Sequence, residues 1–234
     1  MRQITARKNK TLNLKMRDYY VHQTIPVIFI KIIENEEIDV SEVIRTINKK
    51  VPKHLFYGVD EIYVGHFPEF DERKINAMYK DGAIYVTNEQ ENTSDMIDDI
   101  IHELAHATEE NYNGFIYEDG DIEKEFLGKR KRLYKILKSH GLKIKSKSFL
   151  NPEYDINFDF FLLKKIGYST LKGYIKGLFT SCYSVTSLNE YYAVNFTDYF
   201  LYNRRNIKSM CPAAYNKIEN LNYYNEENKN EYQY

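Results

Sequence analysis

Two histidines and a glutamate with the spacing of a metal site lie near the middle of the chain, in His102-Glu103-Leu104-Ala105-His106. Apolar residues recur around them in steps of three and four, a pattern that predicts an amphipathic helix. Residues four apart lie on one face of a helix, so both imidazoles can reach a single ion. A carboxylate beside them can accept a proton from a water that the metal activates. We therefore predict His102 and His106 as zinc ligands and Glu103 as a general base.

The elements around this run must hold it in place. The helix is predicted to begin near Ser94 as its N-cap, and its apolar stripe is Met96, Ile97, Ile100, Ile101, Leu104 and Ala105. Before it, the pattern predicts strands at residues 25–33, 62–65 and 82–87 and a helix at 41–51. After it, helices are predicted at 123–140, 158–179 and 188–202, the second of them broken by Gly167, Gly173 and Gly177. Strands followed by helices indicate an α+β fold, with a small N-terminal sheet lobe, a metal-bearing helix and a mostly helical C-terminal lobe.

Catalytic zinc usually takes three protein ligands, so a third residue is needed. A metzincin would have a glycine and a histidine soon after the second histidine, and this chain has Glu109 and Tyr112 at those offsets, which excludes that class. Four other histidines remain as alternatives: His140, His66, His54 and His22. The carboxylate alternatives include Glu109, Glu110, Glu153 and Asp198. The favoured candidate is Glu190, because it begins an aromatic-rich helix, and a buried carboxylate there needs a partner or a metal.

The run from His102 to Glu110 resembles the anthrax lethal factor and Pro-Pro endopeptidase group of gluzincins. In that group a small residue and acidic residues follow the second histidine. Its third ligand is a glutamate followed by two aromatic residues and an alanine, as in Glu190-Tyr191-Tyr192-Ala193 here. The group also has a tyrosine seven residues before that glutamate, which is Tyr183 in this chain. The resemblance implies that Glu190 completes the site of one Zn²⁺ per chain and that Tyr183 stabilises the oxyanion.

The same resemblance shapes the predicted domains. The stretch from His106 to Glu190 is several times longer than the spacer in that group, so residues 121–180 are predicted to be a helical insertion. The metallopeptidase domain is placed at 21–222, after a basic arm at 1–20 and before a disordered polar tail at 223–234. The basic Arg7-Lys8-Asn9-Lys10 run of the arm is a candidate for self-cleavage.

Composition excludes several classes of protein. The chain has 234 residues and a formal net charge of -1, whereas a dedicated nucleic-acid binder would be clearly basic. No segment has the length of a membrane span, and no secretory signal pattern is present, so a cytoplasmic protein without membrane contact is expected. Cys182 and Cys211 are too few for a disulfide framework and are expected to be reduced.

The sequence thus predicts a zinc-dependent endopeptidase that acts on peptides or proteins. A strand formed by Ala83, Ile84, Tyr85 and Val86 is expected to edge the cleft and to pair with extended substrate. The alternative is a zinc-stabilised binding or structural module without turnover, as in a virion or toxin-associated component. Glu103 favours the enzyme, because zinc binding alone does not need it.

Overall fold

The computed structural model describes residues 18–224 of the chain. Its fold class is α+β, as predicted, and the chain divides into two compact units. We call them the sheet unit (Met1–Asn111) and the helical unit (Tyr112–Tyr234). Most of the predicted arm and tail, including the candidate cleavage run at residues 7–10, lies outside the described residues.

A mixed sheet of five strands forms the framework of the sheet unit, in the order β1-β2-β3-β5-β4. The strands β2 and β3 are parallel, as are β3 and β5, while β1 and β4 run antiparallel to their neighbours. The bounds of the five strands are Tyr19–Val21, Ile25–Phe29, Glu61–Gly65, Ala77–Lys80 and Ala83–Thr87. The strand predicted at 25–33 ends at Phe29, and β1 and β4 were not predicted.

The two-residue connection between β4 and β5 allows the two strands to pair. Asp81 and Gly82 both have positive φ angles, 51° and 78°. A two-residue turn of this kind joins antiparallel strands whose twist it matches, and Asp-Gly is a favoured sequence for it. The turn places Ala77–Lys80 beside Ala83–Thr87 as a hairpin.

The described part of the sheet unit also contains three α-helices. They are α1 (Val40–Lys50), α2 (Pro68–Arg73) and α3 (Thr93–Asn111), with a 3₁₀ turn at Lys53–Phe56. Asp39 caps α1 by accepting a hydrogen bond from the Glu42 amide. The helices α1 and α3 pack together, and α3 also contacts β4 and β5. Alternate strand residues such as Ile62, Val64, Ile84 and Val86 are buried, which is the period-two pattern of a strand with one face in the core.

The helical unit contains the remaining helices of the described residues: α4 (Asn113–Tyr117), α5 (Asp121–Ser139), α6 (Ile156–Phe160), α7 (Tyr168–Tyr174), α8 (Leu188–Leu201), α9 (Arg204–Met210) and α10 (Pro212–Asn222). The helix predicted at 158–179 is interrupted at Gly167, as predicted, whereas Gly173 lies within α7. A π-helical segment, Phe161–Gly167, follows α6, and Gly167 has a φ of +81° that interrupts the helix before α7.

Aromatic side chains fill the core of the helical unit. Tyr191, Tyr192 and Phe196 of α8 and Phe126 of α5 are fully buried. The Lys129 ammonium is buried too, and it contacts the Tyr191 hydroxyl, the Cys211 thiol at 3.0 Å and the Tyr191 ring. A buried ammonium is tolerated because these groups replace water. Neither cysteine forms a disulfide.

Among residues 18–224, every helix is too short or too polar to cross a lipid bilayer.

Candidate metal centre

The helix α3 carries the two predicted histidine ligands. Asn92, rather than Ser94, caps it: the Asn92 side-chain oxygen accepts hydrogen bonds from the amides of Ser94 and Asp95 at 2.8 and 3.0 Å. The predicted cap was therefore two residues late. Past the buried stripe, His102 and His106 are half-buried neighbours with ring centroids 5.1 Å apart. The i, i+4 spacing thus brings the two imidazoles together, as expected.

Glu109 holds the His106 ring. Its carboxylate lies 2.8 Å from His106 Nδ1 and is 4 % exposed. With Nδ1 bound to this carboxylate, Nε2 is the nitrogen that remains for a metal, and a carboxylate partner makes the imidazole a more basic ligand. From the sequence, Glu109 was predicted only as a rival ligand. Its spacing of three from His106 on the same helix was the signal for this role.

Glu103 is buried, with 9 % exposure, and its position is fixed by the edge strand. Its Oε2 accepts a hydrogen bond from the backbone amide of Tyr79 in β4 at 2.7 Å. This contact holds one carboxylate oxygen in place beside β4. No sequence signal pointed to Tyr79, which lies 24 residues away in a strand that was not predicted.

Asp99 is a second carboxylate on this part of α3, one turn before Glu103. The Gln90 side chain donates to it at 2.8 Å. The pKa of Asp99 is raised to about 6, mainly by burial and also by the neighbouring Asp98 and Glu103, whereas Gln90 and His102 oppose the change. Asp99 therefore takes up a proton at a higher pH than an ordinary aspartate.

In the helical unit, Glu190 and Tyr183 lie close together. Ser187 caps α8 by accepting from the Glu190 amide at 3.2 Å, so Glu190 falls in the first turn of the helix. The Tyr183 hydroxyl, on a 3₁₀ turn, donates to Glu190 Oε1 at 3.1 Å. Desolvation and the Glu190 carboxylate raise the pKa of Tyr183, so its hydroxyl stays protonated as a donor. Glu190 is half-buried, while Tyr191, Tyr192 and Ala193 after it are buried, as the aromatic pattern predicted.

His102, His106 and Glu190 each offer one ligand atom, and these atoms all lie within 4.8 Å of one another. Two imidazoles and one carboxylate are the donor set of many catalytic zinc sites. The same set also suits iron(II), so the residues fit a divalent transition metal without selecting one.

The other histidines have different surroundings. The Nε2 atom of His22 lies 3.0 Å from the Val51 carbonyl, and burial lowers the pKa of His22. His66 pairs with Asp71 at 3.2 Å, and His140 Nδ1 lies 2.9 Å from the Ile136 carbonyl at the end of its own helix. His54 lies on the 3₁₀ turn after α1. In the described residues the ligand group contains none of these four, and it contains none of the rival carboxylates at 109, 110, 153 and 198.

The predicted role of β5 in pairing with substrate is wrong. Ala83, Ile84, Tyr85 and Val86 lie in the interior of the sheet, where β5 pairs with β3 on one side and β4 on the other. Both rows of its backbone hydrogen-bonding groups are therefore in use. The strand at this end of the sheet is β4.

No protein-family model, curated protein or solved structure matches this chain. The resemblance to gluzincins therefore depends on the two short segments around His102 and Glu190.

Proposed function

We propose that this chain is a zinc-dependent endopeptidase of the gluzincin type, with His102, His106 and Glu190 as ligands of one ion. The observation that carries the proposal is the grouping of these three donor atoms within 4.8 Å. A helical H-E-x-x-H run and a distant glutamate would meet at this distance by chance far less often than either would occur alone. The hydrogen bond from His106 to Glu109 adds support, because metal-ligating histidines are usually oriented in this way.

The chemistry divides among the residues as follows. When bound, zinc acts as a Lewis acid toward water and toward the peptide carbonyl oxygen. Glu103 takes a proton from the attacking water and delivers it to the leaving nitrogen. Its bond to the Tyr79 amide keeps one oxygen in place, so the carboxylate does not have to be ordered during the reaction. Tyr183 donates a hydrogen bond to the oxyanion after leaving Glu190.

The substrate in this proposal is an extended peptide, and β4 takes the pairing role that β5 cannot have. Among the described strands, β4 pairs with β5 alone, so no other strand occupies its outer edge. The Tyr79 amide on that edge already bonds to Glu103, which fixes the strand beside the general base. Peptide recognition by strand addition uses such an edge. We do not expect nucleic acid or membranes as partners. We propose a cytoplasmic location for the protein.

One observation favours the alternative of a metal-stabilised module without turnover. Glu103 binds the Tyr79 amide, and this contact joins α3 to β4. The presence of a glutamate at position 103 therefore has a structural explanation that requires no catalysis. An activity measurement is needed to separate the two functions.

The test combines metal analysis with peptide cleavage. Protein purified without chelator should contain about one zinc per chain. It should cleave members of a diverse peptide library, with the products identified by mass spectrometry. The Glu103→Gln variant should keep zinc and fold, because glutamine still accepts from the Tyr79 amide, but turnover should fall on the order of a thousandfold or more. Glu110→Gln, an exposed glutamate on the same helix, is the matched control and should cleave normally.

Each other outcome has a defined meaning. Protein that takes up no metal on titration would falsify the proposal. Stoichiometric zinc with no cleavage by the wild type supports the module instead. Normal cleavage by Glu103→Gln removes the general-base assignment. A mass spectrum of the intact wild type and of Glu103→Gln tests self-cleavage, since loss of an N-terminal fragment in the wild type alone indicates it.

A further inference from the structure

A cavity of about 650 Å³ lies in the helical unit, separate from the proposed ligands. The helix α7, the turn after it and the segment 180–182 form most of its wall. Its apolar lining is provided by Tyr168, Ile175, Phe179 and Met210. The volume is in the range of pockets that bind small molecules, which typically measure about 300–1,000 Å³.

The charge of the cavity is one-sided. Lys172 and Lys176 line it, and no aspartate or glutamate does. The two ammonium groups are four residues apart and exposed, and neither forms an ion pair among residues 18–224. Like charges at this spacing repel each other. An anion held by both would remove that repulsion.

A polar atom in the wall has the same implication. Thr180 Oγ1 is buried and has no hydrogen-bond partner within the described part of the chain. A buried hydroxyl without a partner is unfavourable, and native structures seldom keep one without a reason. Ser169 and Ser181 supply two further hydroxyl groups to the lining. Each of these hydroxyls can donate to an anionic oxygen.

We infer that this cavity binds a small amphipathic anion, a carboxylate or phosphate ester that carries an alkyl or aryl group. The anionic oxygens contact Lys172, Lys176 and the Thr180 hydroxyl, and the apolar part packs against Phe179 and Ile175. This inference does not depend on the metal or on peptidase activity.

Cys182 provides a direct readout. It lines the cavity and is half-buried, whereas Cys211 is fully buried and outside the cavity lining. A ligand in the cavity should therefore slow alkylation of Cys182 by iodoacetamide, with Cys211 as the internal reference. The probes are hexanoate, hexyl phosphate, hexanol and hexylammonium, added to the full chain. Hexanoate or hexyl phosphate should protect Cys182 at least tenfold more strongly than hexanol, and hexylammonium should not protect. The stronger of the two anions identifies the headgroup class.

The lysines are tested by paired variants. Lys172→Ala with Lys176→Ala should weaken anion binding at least tenfold, measured by the protection and by calorimetry. The matched control is Lys164→Ala with Lys165→Ala, an exposed pair in the same unit that does not line the cavity, and its affinity should be unchanged. If the first double variant does not fold, Lys172→Gln and Lys176→Gln separately replace it, each with a several-fold loss expected.

The hydroxyl is tested by Thr180→Val, which keeps the shape of the side chain. Anion affinity should fall several-fold, and the melting temperature of the ligand-free chain should stay the same or rise. The inference is overturned if hexanol binds as tightly as the anions, if no probe protects Cys182, or if binding survives removal of both lysines.

Discussion

The sheet unit and the helical unit hold their functional side chains in different ways. In the sheet unit, the carboxylates of Glu103 and Glu109 are almost fully buried, and each contacts a defined partner, the Tyr79 amide and His106. In the helical unit, Glu190 is half-buried in the first turn of α8, and the hydroxyl of Tyr183 contacts it. We call the buried contacts of Glu103 and Glu109 the rigid frame of the sheet unit, whereas Glu190, the proposed third ligand, is only half-buried.

This difference predicts unequal roles. Groups whose partners are already in place need little rearrangement when an ion or a substrate binds. In the proposed site, Glu190 would bind the metal in place of the Tyr183 hydroxyl, which would then be available to donate to the oxyanion. We therefore expect the histidines and Glu103 to determine the geometry of the site, and Glu190 and Tyr183 to respond to occupancy.

The largest effect is expected for the third ligand. Glu190→Ala should weaken zinc binding by much more than a hundredfold, because loss of a direct ligand exceeds the ten- to hundredfold effect typical of groups outside the ligand set. Competition with a chromophoric chelator measures the affinity. Glu153→Ala, an exposed glutamate of the same unit, is the control and should bind zinc normally. If Glu190→Ala still binds zinc tightly, another residue is the third ligand. The contrast between the two units would then not apply to the metal site.

Tyr183 should affect turnover rather than the metal. Tyr183→Phe keeps the ring and removes the donor, so kcat should fall about a hundredfold, or roughly 3 kcal/mol, with KM nearly unchanged. Zinc affinity separates the two possible roles of the hydroxyl. If the hydroxyl serves only to hold Glu190, Tyr183→Phe should weaken zinc binding. The kcat of the zinc-loaded variant should then equal that of the wild type. A silent variant would make Tyr183 one more packed aromatic residue.

Glu109 tests the rigid frame of the sheet unit. Glu109→Ala should weaken zinc binding by about ten- to a hundredfold, because His106 loses the partner that fixes its ring. Glu109→Gln, which keeps a hydrogen-bond acceptor, should recover part of the loss. Glu110→Ala is the control on the next position of the helix. Equal zinc affinity in Glu109→Ala and wild type would show that the frame does not depend on this contact.

Asp99 tests how much the burial of an ionised carboxylate near the frame destabilises the folded chain. Its pKa is about 6 in the folded chain against an ordinary value of 3.8, so its contribution to stability is complete below pH 3.8 and is lost as the pH rises through about 6. In metal-free protein at pH 8, Asp99→Asn should raise the free energy of unfolding by roughly 1–2 kcal/mol, allowing for partial exposure. At pH 4 the two proteins should agree more closely. Urea unfolding at both pH values measures this, with Glu91→Gln as the exposed control. A pH-independent difference would contradict the assignment.

Several features followed from the sequence because they depend on nearby residues. The i, i+4 spacing of the histidines places them on one face of any helix. Asp81-Gly82 forms its turn because both residues tolerate positive φ. The aromatic residues after Glu190 are buried, as their hydrophobicity predicts. The predicted N-cap of α3 was nevertheless wrong. Asn92 and Ser94 both have side chains that favour this position, and Asn92 is the residue that caps the helix.

Other features depend on residues far apart in the chain. The sequence of β5 does not show whether one or both of its edges are paired. In the structure β4 pairs with β5, so the edge that was predicted to bind substrate is already occupied. The contact of Glu103 with Tyr79 required a strand that was not predicted.

The sequence by itself determined the helix that carries His102, Glu103 and His106, the α+β class and the apolar surroundings of Glu190. Only the tertiary structure decided that β4 is the edge strand, that Glu109 holds His106, and that the ligand atoms of two histidines and one distant glutamate lie within 4.8 Å. The physical reason is that helical periodicity and turn preference act over a few residues, whereas strand pairing and burial depend on which distant segments pack together.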